Sequence, residues 1–171
     1  MQFSLWKMLI GFSVILMISG CEHTSKKVFS SDEKVTWKLA TSWGEEFPPF
    51  TNAVTNMAQL VKQMSGGDFI IKIETVNKHK SAFGVMDMVK LGQYEMGHTA
   101  SYYYKGKDPV LLLFTSMPFG MNALEQYAWF YFGGGMELAQ KSYEKHGIYS
   151  YPGGNTGVQM GGWFRKEIKS M

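Results

Sequence analysis

The sequence predicts an α/β fold with a mainly parallel sheet, on three observations. Apolar residues alternate in short runs at 35–40, 69–76 and 96–100. Between those runs they recur at three- and four-residue spacing, and glycine or proline punctuates the changes of period. The order strand, helix, strand, helix, strand at this spacing requires right-handed crossovers and therefore parallel neighbours.

Each element has its own signal. Val35 to Ala40 places Val35, Trp37 and Leu39 on one face and reads as a first strand, ending in Thr41-Ser42-Trp43-Gly44. From Pro49 the period changes: Phe50, Ala53, Val54, Met57, Ala58, Val61 and Met64 form a helical stripe. Pro48-Pro49 and Gly66-Gly67 bound it, since proline suits a first turn and glycine ends a last one. Phe69 to Val76 is a second strand, Phe83 to Leu91 a second helix stopped by Gly92, and Met96 to Ala100 a short third strand. Beyond Asp108-Pro109 come an apolar run, Val110 to Phe114, and the turn-like Met117-Pro118-Phe119-Gly120. Asn122 and Glu125 have capping-box spacing ahead of a helix from Ala123 to Phe132. Gly133-Gly134-Gly135 breaks that helix, and another runs to His146 and stops at Gly147. Ile148 to Tyr151 and Val158 to Phe164 are the last strand candidates, joined by the turn Pro152-Gly153-Gly154-Asn155.

The 171 residues divide by composition. Lys7 precedes an apolar run from Met8 to Ile18, shorter than the roughly 20 residues a membrane-spanning helix needs and suited to a secretory signal over 1–20. Ile18-Ser19-Gly20-Cys21 resembles a bacterial lipobox, in which Cys21 carries lipid; an ordinary signal followed by an incidental cysteine is the alternative. Cys21 is the single cysteine, so an exported domain here has no internal disulfide to rely on. Residues 21–34 then read as the lipidated Cys and a polar tether, which leaves 35–171 as folded domain. A formal charge of +3 without clustered cations gives no nucleic-acid footprint.

Chemistry is sparse. His23, His79, His98 and His146 stand apart from one another and from the cysteine, so metal-ligand spacing is absent. No nucleophile elbow, zinc-protease or Walker-type motif occurs, and Glu45, Glu46, Asp87 and Glu95 have no evident catalytic partners. Nothing points to an enzyme. A parallel sheet does fix where a ligand would sit, in the crevice beyond its carboxyl strand ends. Trp43 follows the first strand and Ser101-Tyr102-Tyr103-Tyr104-Lys105 the third, and together they suit either a hydroxyl-bearing aromatic wall or ordinary packing.

Several longer segments carry a resemblance. LATSW (39–43), MSGGDF (64–69), MGHTASYYYKGKDP (96–109), MPFGMN (117–122) and YPGGNTGVQMGGWFRKEI (151–168) resemble the solute-binding subunit of TRAP (tripartite ATP-independent periplasmic) transporters, in the branch binding 2-oxo acids or other monocarboxylates. The resemblance implies a type II periplasmic-binding-protein-like fold, with residues 35–171 as the amino-terminal part of a two-lobed domain and most of the second lobe lying downstream. It implies capture of a small organic-acid anion for sodium-coupled TRAP membrane subunits, which with the lipobox-like segment places the work in the cell envelope, lipid-anchored. No other cofactor is implied beyond a bound sodium or other cation, and the whole protein is expected to pair as a homodimer. By that resemblance Gln159 contacts both substrate and cation, as an amide offering donors and an acceptor is able to do; a glutamine satisfying its own backbone is the alternative. Trp43 and Tyr103 follow as wall residues. The family's carboxylate clamp is an arginine in a later segment resembling D-L-K-G-L-K-M-R, which does not occur here, and Arg165 belongs to a different block. An envelope lipoprotein serving protein interaction, or a binding protein for an ATP-driven importer, are the competing readings.

Overall fold

The computed structural model describes residues 34–115, 117–159 and 161–169. The expected signal, Cys21 and most of the tether lie outside these residues. Three strands form one sheet in the order β2-β1-β3: β1 (Val35–Thr41), β2 (Phe69–Glu74) and β3 (Met96–His98). Both pairings of the central β1 are parallel, with Val35 opposite Phe69 and Thr41 opposite His98. β1 is exposed in its first half and buried from Leu39 onward, so the sheet is best covered at its carboxyl end.

Helix α1 (Pro48–Met64) connects β1 to β2 and lies on one face of the sheet. Val54 is its buried centre, packed with Leu39 and Ile71 and flanked by Met57, Ala58 and Val61, as the spacing in the sequence predicts. Pro48 and Pro49 occupy its first turn. At its other end Gly66 and Gly67 take φ of 63° and 94°, which lets the Gly67 N–H reach back to the Lys62 carbonyl at 2.8 Å.

The opposite face carries α3 (Val85–Lys90), reached through a four-residue helix α2 (Val76–His79). Ala40 and Gly97, partners across the β1–β3 ladder, meet it there. A Cβ on Gly97 would lie 2.6 Å from Val85 Cγ1 and 3.2 Å from Val89 Cγ2, so glycine permits the close approach of helix and strand. A second core of Met86, Tyr104, Leu111, Phe114, Phe130, Ala139 and Tyr143 joins this side to α4 (Ala123–Phe132) and α5 (Gly135–Glu144). The capping box forms as predicted: Glu125 N–H donates to Asn122 Oδ1 at 3.1 Å, and Asn122 N–H to Glu125 Oε2 at 2.8 Å.

Several expectations change. The second strand ends at Glu74 because Thr75 starts α2; the second helix begins at Val85 rather than Phe83; the third strand stops at His98. The apolar run 109–114 is a 3₁₀ helix, capped by the Asp108 carboxylate accepting from Val110 N–H at 3.0 Å. The last helix ends at Glu144. Neither Ile148–Tyr151 nor the described part of 158–164 is a strand. For the first of these the reason is local: the Gln140 side chain takes the ladder groups, accepting from Ser150 N–H at 3.3 Å and donating to the Ile148 carbonyl at 3.4 Å. A side-chain amide thus replaces a neighbouring strand. Residues 158–164, where described, are exposed and have no adjacent strand to pair with.

Candidate functional site

At the carboxyl edge the β1–β3 ladder continues one step past the strands, with Ser42 N–H donating to the His98 carbonyl at 2.9 Å. Ser42 Oγ donates to Thr99 Oγ1 at 2.6 Å, and Thr99 shares a hydrogen with the Tyr104 hydroxyl at 2.9 Å. Met86 N–H donates to that same hydroxyl at 3.1 Å. These contacts tie both strand ends to α3 and fix the segments that carry the aromatic residues. Because Tyr104 is buried, its pKa rises, and the phenol is held as a neutral member of the network.

On this base stands a row of rings. Trp43 stacks on Phe50 at 4.1 Å with 11° between planes, and lies 4.9 Å from the His98 ring and 6.5 Å from Tyr103. Tyr103 in turn meets Tyr102 at 4.6 Å and Phe83 at 4.8 Å, both edge-on. Trp43 and Tyr103 are half-buried, whereas Phe83 is 66% exposed. Burial pushes the Tyr103 hydroxyl up to about 12, so it remains a hydrogen-bond donor at neutral pH. Beside it Phe83, Tyr102, Tyr103, Lys105 and Leu112 line a depression of about 380 Å³, within the size range of small-molecule sites. The surface offers ring faces, phenol hydroxyls and the Lys105 side chain, a composition suited to a small polar organic molecule with an apolar portion.

The structure therefore brings Trp43 and Tyr103 together in one wall. Gln159 is placed differently: it is exposed, and its described side-chain hydrogen bond, Nε2 to Thr156 Oγ1 at 3.2 Å, is local. Phe50, Phe83 and His98 are wall residues that sequence reasoning missed. A usable signal existed, because Phe50 opens α1 and His98 closes β3, and both positions border the carboxyl edge of a parallel sheet. Among the described residues no group of three His, Cys, Asp or Glu side chains could hold a metal. A hard cation takes about six or more oxygen ligands, so the Gln159 amide does not amount to a cation site by itself.

The segment leading to Gln159 is tied down by side chains. Gln140 brackets Tyr149 as described, Gln126 Nε2 donates to the Thr115 carbonyl at 2.6 Å, and Asn155 Nδ2 donates to Gln126 Oε1 at 2.9 Å. Gly157 N–H then closes a turn on Asn155 Oδ1 at 2.7 Å.

Compared with known proteins, residues 39–171 match the family of bacterial extracellular solute-binding proteins, family 7 (DctP). The chain belongs to this family. A protein from Nostoc sp. (strain PCC 7120), named a monocarboxylate 2-oxoacid-binding periplasmic protein, is 41% identical over 162 residues, covering 95% of this chain and 44% of that one. Two crystal structures of TRAP periplasmic solute-binding proteins are more similar still. One, from Pseudoalteromonas atlantica with bound sodium and pyruvate, is 62% identical with a TM-score of 0.77, over 80% of this chain and 41% of the other. The second, from Colwellia psychrerythraea with bound calcium and pyruvate, is 61% identical with a TM-score of 0.78, over 81% and 42%. This family 7 chain thus spans about two fifths of the length of these relatives, and its parallel three-stranded sheet with flanking helices matches that part of their fold.

Proposed function

We propose that this chain contributes the aromatic side of a cleft that captures a small 2-oxo acid or related monocarboxylate outside the cytoplasm, for a TRAP-type transporter driven by an ion gradient. The observation that carries this reading is the pyruvate held by two proteins at 61% and 62% identity to it. The Trp43–Tyr103 wall lies where a parallel sheet presents ligands, and its neutral phenol suits a carbonyl or carboxylate oxygen. Capture is binding, with no chemical step. Gln159 supplies an amide to ligand and cation, the remaining cation ligands and the charged carboxylate partner come from a second lobe, and lipid on Cys21 holds the assembly at the membrane. The whole protein pairs as a homodimer and delivers its anion to the TRAP membrane subunits. The interaction-module and ATP-driven-importer readings gain no observation.

The test is calorimetric titration of pyruvate, with sodium or calcium present, into a chimera joining residues 35–171 to the remaining length of the Pseudoalteromonas relative. The expected dissociation constant is on the order of micromolar, weakened roughly tenfold (about 1.4 kcal/mol) by Gln159→Ala. Residues 35–171 alone bind about a hundredfold more weakly or not at all, because a carboxylate lacks its charge-assisted partner. A folded chimera that ignores pyruvate while the parent relative binds it overturns the proposal.

A further inference from the structure

His98 is half-buried, and its Nδ1 is the one buried side-chain nitrogen or oxygen among the described residues that makes no hydrogen bond. The ring is enclosed by Trp43 at 4.9 Å and Phe50 at 6.3 Å, and on another side by the backbone of Gly153. A Cβ built on Gly153 would fall 2.9 Å from His98 Cδ2 and 3.0 Å from Nε2, so glycine is needed for this contact. Burial lowers the His98 pKa, opposed in part by the adjacent Gly153 backbone. A neutral imidazole has one N–H. With Nδ1 unpartnered, Nε2 is the nitrogen that faces Gly153, and a hydrogen carried there would be directed at that backbone. Gly153 begins the path to Gln159: Asn155 is fastened to Gln126, Gly157 turns on Asn155, and Gln159 bonds to Thr156.

We propose that His98 is a positioning residue: by holding Gly153 against the aromatic wall, it sets the course of the segment that presents Gln159. The ring joins two parts of the site that no strand pairing connects, the end of β3 and the 151–159 segment. Trp43 keeps the ring in place, so the same indole that lines the wall also fixes the contact that directs the amide. This deepens the proposed function and rests on it, since aiming Gln159 matters for ligand capture.

The experiment is ¹⁵N relaxation of the 171-residue chain without ligand, read as backbone order parameters at 153–157. The unaltered chain is expected to be rigid there, near 0.85, and His98→Ala to fall below about 0.6. His98→Gln retains the rigid value, because its amide nitrogen reaches about as far as Nε2. His98→Asn does not, its amide lying where Nδ1 was. Gly153→Ala loosens the segment from the other side; its φ is not in the left-handed region, so any effect comes from the clash with the ring. If His98→Ala loses the dispersed methyl signals of Leu39 and Val85, the Gly153→Ala and His98→Gln results decide. Unchanged order parameters in Gly153→Ala, a His98→Gln chain as loose as His98→Asn, or a mobile 153–157 segment in the unaltered chain each overturn the inference. No ligand enters the measurement, so failure to bind pyruvate would sink the proposed function and leave this test standing.

Discussion

Tyr104 is almost fully buried, and its hydroxyl satisfies two groups at once, Thr99 Oγ1 and the Met86 N–H. Tyr104→Phe keeps the ring and removes that shared partner, leaving a buried donor unmet. The expected loss is about 1–3 kcal/mol, read as a lower urea midpoint with an unchanged denaturant slope. Asp108 makes a pH-dependent contribution. The Val110 N–H, and then His146 at 3.2 Å, hold its carboxyl below the ordinary value of 3.8. A carboxylate depressed on folding stabilises the protein above its unfolded pKa, and the stabilisation drains away as pH falls through the lower folded value. Below about pH 4 the unaltered chain therefore loses melting temperature through this group, and Asp108→Asn lacks that portion of the fall. Calorimetric scans of the two near pH 6 and near pH 3 make the comparison; parallel declines would remove Asp108 from the account.

At the scale of elements, the contact between α3 and β3 depends on a missing side chain. Gly97→Ala puts a methyl group where Val85 and Val89 already stand, and overpacking of this kind costs about 1–3 kcal/mol. Thermal unfolding of Gly97→Ala beside Gly97→Ala/Val85→Ala reads it: the second change is expected to recover part of the loss by making room. The sheet and α1 were legible because their signals are local and repeat. Val35 to Ala40 alternates, α1 opens on two prolines and has glycines after it, and the Asn122–Glu125 box announces α4. α2 was not legible, since four residues complete only about one turn and show no period. Residues 148–151 misled for a different reason. Ile and two Tyr in four residues suit a strand, but a glutamine on α5 reaches their ladder groups first, and composition does not reveal which side chain folds back onto which backbone.

For the molecule as a whole, the sequence put Trp43 and Tyr103 after strands at the carboxyl edge, as either an aromatic wall or ordinary packing, and the fold brings the two rings within 6.5 Å. Phe50, Phe83 and His98 escaped because their placement depends on three-dimensional neighbours, with Phe50 and His98 separated by 48 positions in the chain yet 6.3 Å apart and both against Trp43. The lipid attachment we propose is a whole-molecule property that would rest on one atom, the Cys21 sulfur. Cys21→Ser is expected to move the protein from the membrane pellet to the soluble envelope fraction on fractionation; equal distribution of both forms would rule out the lipid anchor. The bracket formed by Gln140 has a last consequence. A β ladder opens cooperatively, since each bond lost weakens its neighbours, whereas single side-chain fastenings at Gln140, His98 and Gln126 release one at a time. The 148–155 stretch thus belongs to a different cooperative unit from β1–β3, and it can change course without melting the sheet beneath it. In the function we propose, that is the side of the cleft whose course would be free to adjust around a ligand.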